Sequence, residues 1–143
     1  MGSTYYPRSG GGGGPNNPFN ISLASLNLIP SAGVMTSTGF SVGITATGNY
    51  TMGAAITPIA QTGADAVQLA VSKDGINFIY LGGAQLVYPA QQSVISGSSF
   101  SIPCTSGDTW TLYVGSVAGV TEFFGTDDQF TYTALYFSGF QQA

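Results

Sequence analysis

Histidine is absent from this 143-residue sequence, cysteine occurs once, and lysine and arginine together number two. Without histidine the commonest general base and the commonest zinc ligand are missing, and no Ser-His-Asp triad can form. Cys104, alone, can make neither an intrachain disulfide nor a cysteine cage, so it is expected as a small core-facing residue. Arg8 and Lys73 stand against six acidic residues, for a net charge of -4. So few cations cannot neutralise a row of phosphates, which excludes nucleic acid as a partner. There is no run of ~18 apolar residues for a membrane span, and no charged start leading into an apolar stretch. Neither a membrane partner nor a signal peptide is expected. A glycosidase would need two carboxylates ~5 to 10 Å apart, and nothing in the spacing of Asp65, Asp74, Asp108, Glu122, Asp127 and Asp128 brings two together. The chain is expected not to be an enzyme and to carry no cofactor.

Charged residues make up 6% of the sequence, far below the roughly 25% usual in soluble domains. Hydrophobic residues reach 43% and aromatics 13%, ample for one core in one domain. The surface must then consist of Ser, Thr, Asn, Gln and Gly, a composition that fits packed extracellular or virion-like β proteins.

Residues 1–20 contain five consecutive glycines, Gly10 to Gly14, followed by Pro15, Asn16, Asn17 and Pro18. Such a stretch has great backbone freedom and nothing to pack, so it is expected as a flexible arm ahead of a domain over residues 21–143. Tyr5, Tyr6 and Arg8, near its tip, are the groups able to grip a partner.

Beyond the arm the pattern has period two. Phe40, Val42, Ile44 and Ala46 share one face; Tyr50, Met52, Ala54 and Ile56 repeat the pattern before Pro58 limits central pairing. Val67, Leu69 and Val71 lead into Lys73-Asp74-Gly75, a hairpin signal, and Phe78 and Tyr80 share one side of the return. Phe100 and Ile102 predict a short strand ended by Pro103, and Trp110, Leu112 and Val114 a stronger one. In the last run Phe130, Tyr132, Ala134 and Tyr136 alternate with Thr131, Thr133, Leu135 and Phe137. Both faces are apolar, which predicts cover from a neighbouring subunit. No window shows helical spacing with caps, so the fold is expected to be all-β, a sandwich of two antiparallel sheets.

Five motifs then fall in a familiar order: Thr38-Gly39-Phe40, Gly48-Asn49-Tyr50-Thr51-Met52, Lys73-Asp74-Gly75, Gly107-Asp108 and Phe137-Ser138-Gly139-Phe140. Over roughly residues 30 to 141 the chain resembles the jelly-roll superfamily of tumour necrosis factor and complement globular heads. Met52 departs from the family's Phe, and the Gly-rich arm lacks a collagen period. The resemblance implies a jelly roll that forms homotrimers, with Tyr50, Tyr132, Tyr136 and Phe137 as candidates for the threefold interface. Calcium binding in related heads makes Glu122, Asp127 and Asp128 weak candidates for oxygen ligands, although a solvated acidic loop accounts for them as well.

The function expected on these grounds is structural. A bacteriophage capsid decoration, head fibre or knob would use the arm to hold shell proteins and would project the trimer from the virion surface. A carbohydrate-binding or adhesin module on a cell, spore or virion surface is the alternative, with Tyr88, Tyr113 and Phe124 as candidate glycan contacts.

Overall fold

The computed structural model describes residues 18–23, 26–28, 35–60, 65–87, 94–116 and 130–142. Its strands are β1 (Phe19–Ser22), β2 (Leu26–Leu28), β3 (Met35–Gly43), β4 (Gly48–Ala60), β5 (Asp65–Ser72), β6 (Ile79–Tyr80), β7 (Gln85–Val87), β8 (Ile95–Ser98), β9 (Ile102–Cys104), β10 (Thr109–Ser116) and β11 (Phe130–Gln141). One antiparallel sheet runs β1-β11-β4-β8, with β2 also on β11 and β9 also on β4; the other runs β3-β10-β5-β6, with β7 also on β5. The chain crosses between the two facing sheets after β2, β3, β4, β7, β9 and β10. The fold is all-β, a two-sheet antiparallel jelly-roll sandwich.

Period-two alternation places the core where the residue pattern predicts it. Tyr50, Met52, Ala54 and Ile56 of β4 face Val67, Leu69 and Val71 of β5 and Trp110, Leu112 and Val114 of β10, all buried. Burying each aliphatic side chain contributes about 1.5–3 kcal/mol. On β3 the buried set includes Thr38, whose hydroxyl donates to the Leu112 carbonyl at 2.7 Å and so satisfies a polar group inside the sandwich.

Three local expectations are corrected and one, at Pro58, agrees with the structure. Phe19 and Asn20, assigned to the arm by composition, already pair with Gly139 and Ser138 in β1. Pro58 limits central pairing as expected: β8 stops opposite Ile56, and beyond it, among the described residues, β4 pairs with β11 alone, Pro58 lying opposite Tyr132. Phe100 is not in a strand; it sits on a bulge between β8 and β9, 95% exposed, while Pro103 lies inside edge strand β9. In the last strand the register shifts between Ala134 and Tyr136. Ala134 pairs with core residue Ile56 and Phe137 with core residue Ala54, so the register partners of the core change from even to odd numbers across Leu135. That bulge by itself accounts for apolar residues of both parities, and the inference of a neighbour from two apolar faces loses its force.

The Phe-Ser-Gly-Phe motif has a packing explanation. The ring of Phe19 lies edge-on to Phe137, with centroids 5.3 Å apart, and crosses β11 at Gly139. A Cβ on Gly139 would come within 2.7 Å of that ring and 2.8 Å of the Thr51 carbonyl oxygen. Any side chain there would lift β1 from the sheet.

The Lys73-Asp74-Gly75 segment is a wider turn than a two-residue hairpin. Asp74 Oδ1 accepts the backbone N–H groups of Ile76 and Asn77, both at 2.8 Å, and Oδ2 accepts the Asn77 amide at 2.8 Å. The Ser72 hydroxyl donates to the Asn77 carbonyl at 2.7 Å and accepts from Gly75 N at 2.9 Å. The N–H groups of Asn77 and Ile76 hold the Asp74 carboxyl well below the usual carboxylate range. A depressed native pKa stabilises the turn above the unfolded value, about 3.9, and the stabilisation is lost as pH falls through the native pKa. Accordingly, Asp74→Ala is expected to melt below the wild type at neutral pH, with the gap closing in strong acid; thermal scans from pH 7 to pH 2 check this. A constant gap would contradict it.

Candidate functional site

Charge is nearly absent from both sheets, the five-stranded one holding Asp65 at the start of β5. None of the chain's eight charged residues falls in β1, β2, β4, β8, β9 or β11. The inner face of this six-stranded sheet supplies Tyr50, Met52, Ala54, Ile56, Ile95 and Phe137 to the core, so the alternate positions form its outer face. Register sets Tyr136, Ala55 and Ser96 in one row across β11, β4 and β8. Asn20, Ser138, Gly53 and Ser98 make the next. Ala55 and Ser138 are sunk to 2% and 8% exposure, while Tyr136 stands 39% exposed beside them. The result is a face of small neutral residues with one projecting aromatic ring. Because its backbone groups are paired in the ladder, covering it would bury no ion and leave no main-chain group unsatisfied.

The four residues expected at a threefold axis separate accordingly. Tyr50 and Phe137 are 1% and 0% exposed within the single subunit, where they fill the core; a side chain with no surface left cannot contact a neighbour, so both are corrected to core residues. The Tyr50 hydroxyl is satisfied internally, donating to the Ala46 carbonyl at 2.8 Å. Burial, and next the Cys104 group, raise its pKa. Tyr136 keeps an exposed position on the outer face. Tyr132 pairs with Pro58 and Leu26, and its side chain lies outside the described part of the structure. Asn20, Ser96 and Ser98, exposed on the same face, were not anticipated as companions of Tyr136.

Cys104 meets its expectation as a core residue. It is buried, and burial first, with the Asp108 charge second, pushes its thiol up to about 11. A thiol so hard to ionise is a poor nucleophile at neutral pH. Beside it the Trp110 Nε1–H is buried without a well-formed hydrogen bond and is offered to the weak sulfur acceptor. Lys73 Nζ lies 5.9 Å from the Trp110 ring centroid and 3.8 Å from Asp108 Oδ2, closing this end of the sandwich. Among the described residues, no three His, Cys, Asp or Glu side chains gather into a metal site. Glu122, Asp127 and Asp128 fall outside the described residues. So do Tyr5, Tyr6 and Arg8 of the arm, and Tyr88 and Phe124 of the glycan candidates.

Tyr113, the remaining glycan candidate, belongs to the other sheet. It is half-buried on the outer face of β10, edge-on to Phe78 with ring centroids 5.0 Å apart.

No protein-family model and no curated protein matches the sequence. Solved structures do match in fold. The VP2 subviral particle of infectious bursal disease virus superposes with a TM-score of 0.61 at 14% identity, over 89% of this chain and 32% of that one. The Gx strain of the same virus gives 0.59 at 14% identity, over 87% and 32%. The Eiger TNF structure from S. frugiperda gives 0.53 at 13% identity, over 90% of this chain and 94% of that one. The chain therefore spans about a third of the viral proteins and nearly the whole of the TNF domain. At such identities the likeness establishes the jelly-roll fold, of the type shared by the TNF domain and the viral protein. No helix among the described residues is long and apolar enough to cross a membrane.

Proposed function

We propose that this chain is a non-enzymatic structural protein of a virus particle, a bacteriophage capsid decoration, head fibre or knob. It assembles as a homotrimer through the outer face of the charge-free sheet, and the arm ahead of β1, residues 1–18, holds it to shell proteins, so that the trimer projects from the particle surface.

The observation that carries this reading is the distribution of charge. Charge is scarce in every described strand, Asp65 at the start of β5 being the one charged residue in any of them, and the six-stranded sheet has none. The outer face of that sheet is the one that three copies can bury without stranding an ion, an expense of several kcal/mol per uncompensated charge. Tyr136 supplies a large amphipathic ring at low entropic cost, and Asn20, Ser96 and Ser98 are exposed and neutral on the same face. The fold is one that a protein of virus particles uses for part of its chain, and the neutral hydroxyl-rich remainder of the composition suits permanent exposure. Threefold assembly would also multiply weak contacts of the arms with a shell.

The solution mass of the full chain, read by light scattering, tests the proposal. Three copies of a 14.6 kDa chain give about 44 kDa, and that is the expected value. A mass of one chain at all concentrations would overturn it.

A further inference from the structure

The second sheet presents a different outer face. Register aligns Ser37, Tyr113, Ala70 and Tyr80 in one row across β3, β10, β5 and β6. Their neighbours Leu112, Val114, Leu69 and Val71 fill the core, so this row points away from it. Phe78, on the same side as Tyr80, meets Tyr113 edge-on at an interplanar angle of 79°. Ala70 is fully buried between them, while Tyr80 is 49% exposed. The three rings therefore form a shelf over a small residue. Unlike Tyr50, neither Tyr80 nor Tyr113 has its hydroxyl engaged by a hydrogen bond among the described residues.

The polar groups bordering the shelf are neutral: Ser37, Gln68 and Asn77. The nearby ions are committed elsewhere. Both oxygens of Asp74 accept hydrogen bonds within its own turn, and Lys73 is held by Asp108 and the Trp110 ring.

We propose that Phe78, Tyr80 and Tyr113 form a binding platform for an uncharged carbohydrate. A pyranose ring offers a C–H face, which stacks on aromatic π-systems, and a rim of hydroxyls, which pairs with phenol, hydroxyl and amide groups. The shelf supplies both in the same order, rings with two unengaged phenol hydroxyls at the centre and neutral Ser37, Gln68 and Asn77 at the edge. Each of these three side chains already holds one hydrogen bond, to Gly39, Gly82 and Asp74 respectively, with polar capacity left over. An anionic ligand would find no free cation here. A second copy of the chain is better served by the opposite sheet, whose described outer face presents the single ring of Tyr136 among small neutral residues in place of a ring cluster. The platform is thus independent of the assembly face and lies on the opposite side of each subunit.

The test is calorimetric titration of the full-length protein with neutral hexasaccharides of glucose, mannose and galactose, and with a uronic-acid oligomer of equal length. Saturable binding of a neutral oligosaccharide, without uptake of the charged one, is expected. Tyr80→Ala should weaken that binding about tenfold or more, the loss typical of a central aromatic contact, and leave the unfolding temperature and the solution mass unchanged. Tyr113→Ala should weaken it similarly. The proposal is overturned if no neutral oligosaccharide binds, if the charged oligomer binds equally well, or if both variants keep wild-type affinity. Because solution mass is read separately, failure here leaves the assembly proposal standing, and the converse holds.

Discussion

Replacing Gly97 by alanine is expected to be the most damaging single-methyl change among the described residues. Gly97 lies in edge strand β8, where the sandwich closes against the segment after β6. A Cβ there would lie 2.6 Å from the Leu81 carbonyl carbon and nearer still to its oxygen. The obstacle is backbone, which cannot rotate aside, and it is well anchored. Leu81 is 1% exposed, and its N–H donates to the Leu69 carbonyl at 2.8 Å. Relief requires β8 to leave β4 or Leu81 to leave the core. Overpacking of this kind costs about 3 kcal/mol or more, a large share of the ~5–15 kcal/mol that holds a domain together. For a chain of this size the melting temperature should fall by about 10 °C. Gly83, where a Cβ meets nothing within 4 Å, is the control and should tolerate alanine with little change. Equal melting temperatures for Gly97→Ala and Gly83→Ala would contradict the close approach of the two sheets at this edge.

Tyr136→Asp carries the largest expected effect on assembly. In the isolated subunit the side chain is 39% exposed, so aspartate can be solvated there and the fold should survive. In the assembly the same carboxylate would be desolvated on a sheet that holds no cation to pair with it. Such a buried, unpaired charge costs about 3–5 kcal/mol, which raises the concentration needed for assembly by about a hundredfold or more. Light scattering over a dilution series should find monomers where the wild type is assembled, with an unchanged circular dichroism spectrum. Tyr136→Phe, which keeps the ring, should assemble like the wild type. An assembled Tyr136→Asp protein would remove Tyr136 from the interface.

The strand pattern was legible in the sequence because a half-buried strand writes itself in period two. Tyr50-Met52-Ala54-Ile56 and Trp110-Leu112-Val114 needed no further information. What escaped was anything set by a partner strand. The bulge at Leu135 inverts the alternation of β11, and nothing in the tripeptide Ala134-Leu135-Tyr136 announces it, since the extra residue is defined only against β4. Tyr50 and Phe137 were misplaced for the same reason: aromatic residues on a strand look alike whether they face the core or a neighbour. Pro103 was read as a strand end because a missing N–H matters only where a second partner exists, and among the described residues it pairs on one side alone, with Asn49. The shelf of Phe78, Tyr80 and Tyr113 was visible only in fragments, as it joins residues from β10 with residues more than thirty positions earlier, brought together through β5.

The claim on which the rest depends is that the outer face of the charge-free sheet is covered in the assembled protein. Hydroxyl-radical footprinting of the full-length chain, read by mass spectrometry at high and low protein concentration, tests it residue by residue. Tyr136 and Tyr80 are similarly exposed in the single subunit, at 39% and 49%, and so serve as matched reporters of the two sheets. The account predicts that Tyr136 is shielded at high concentration and modified on dilution, while Tyr80 is modified equally at both. Equal modification of Tyr136 at both concentrations, or shielding of Tyr80 in its place, would contradict it.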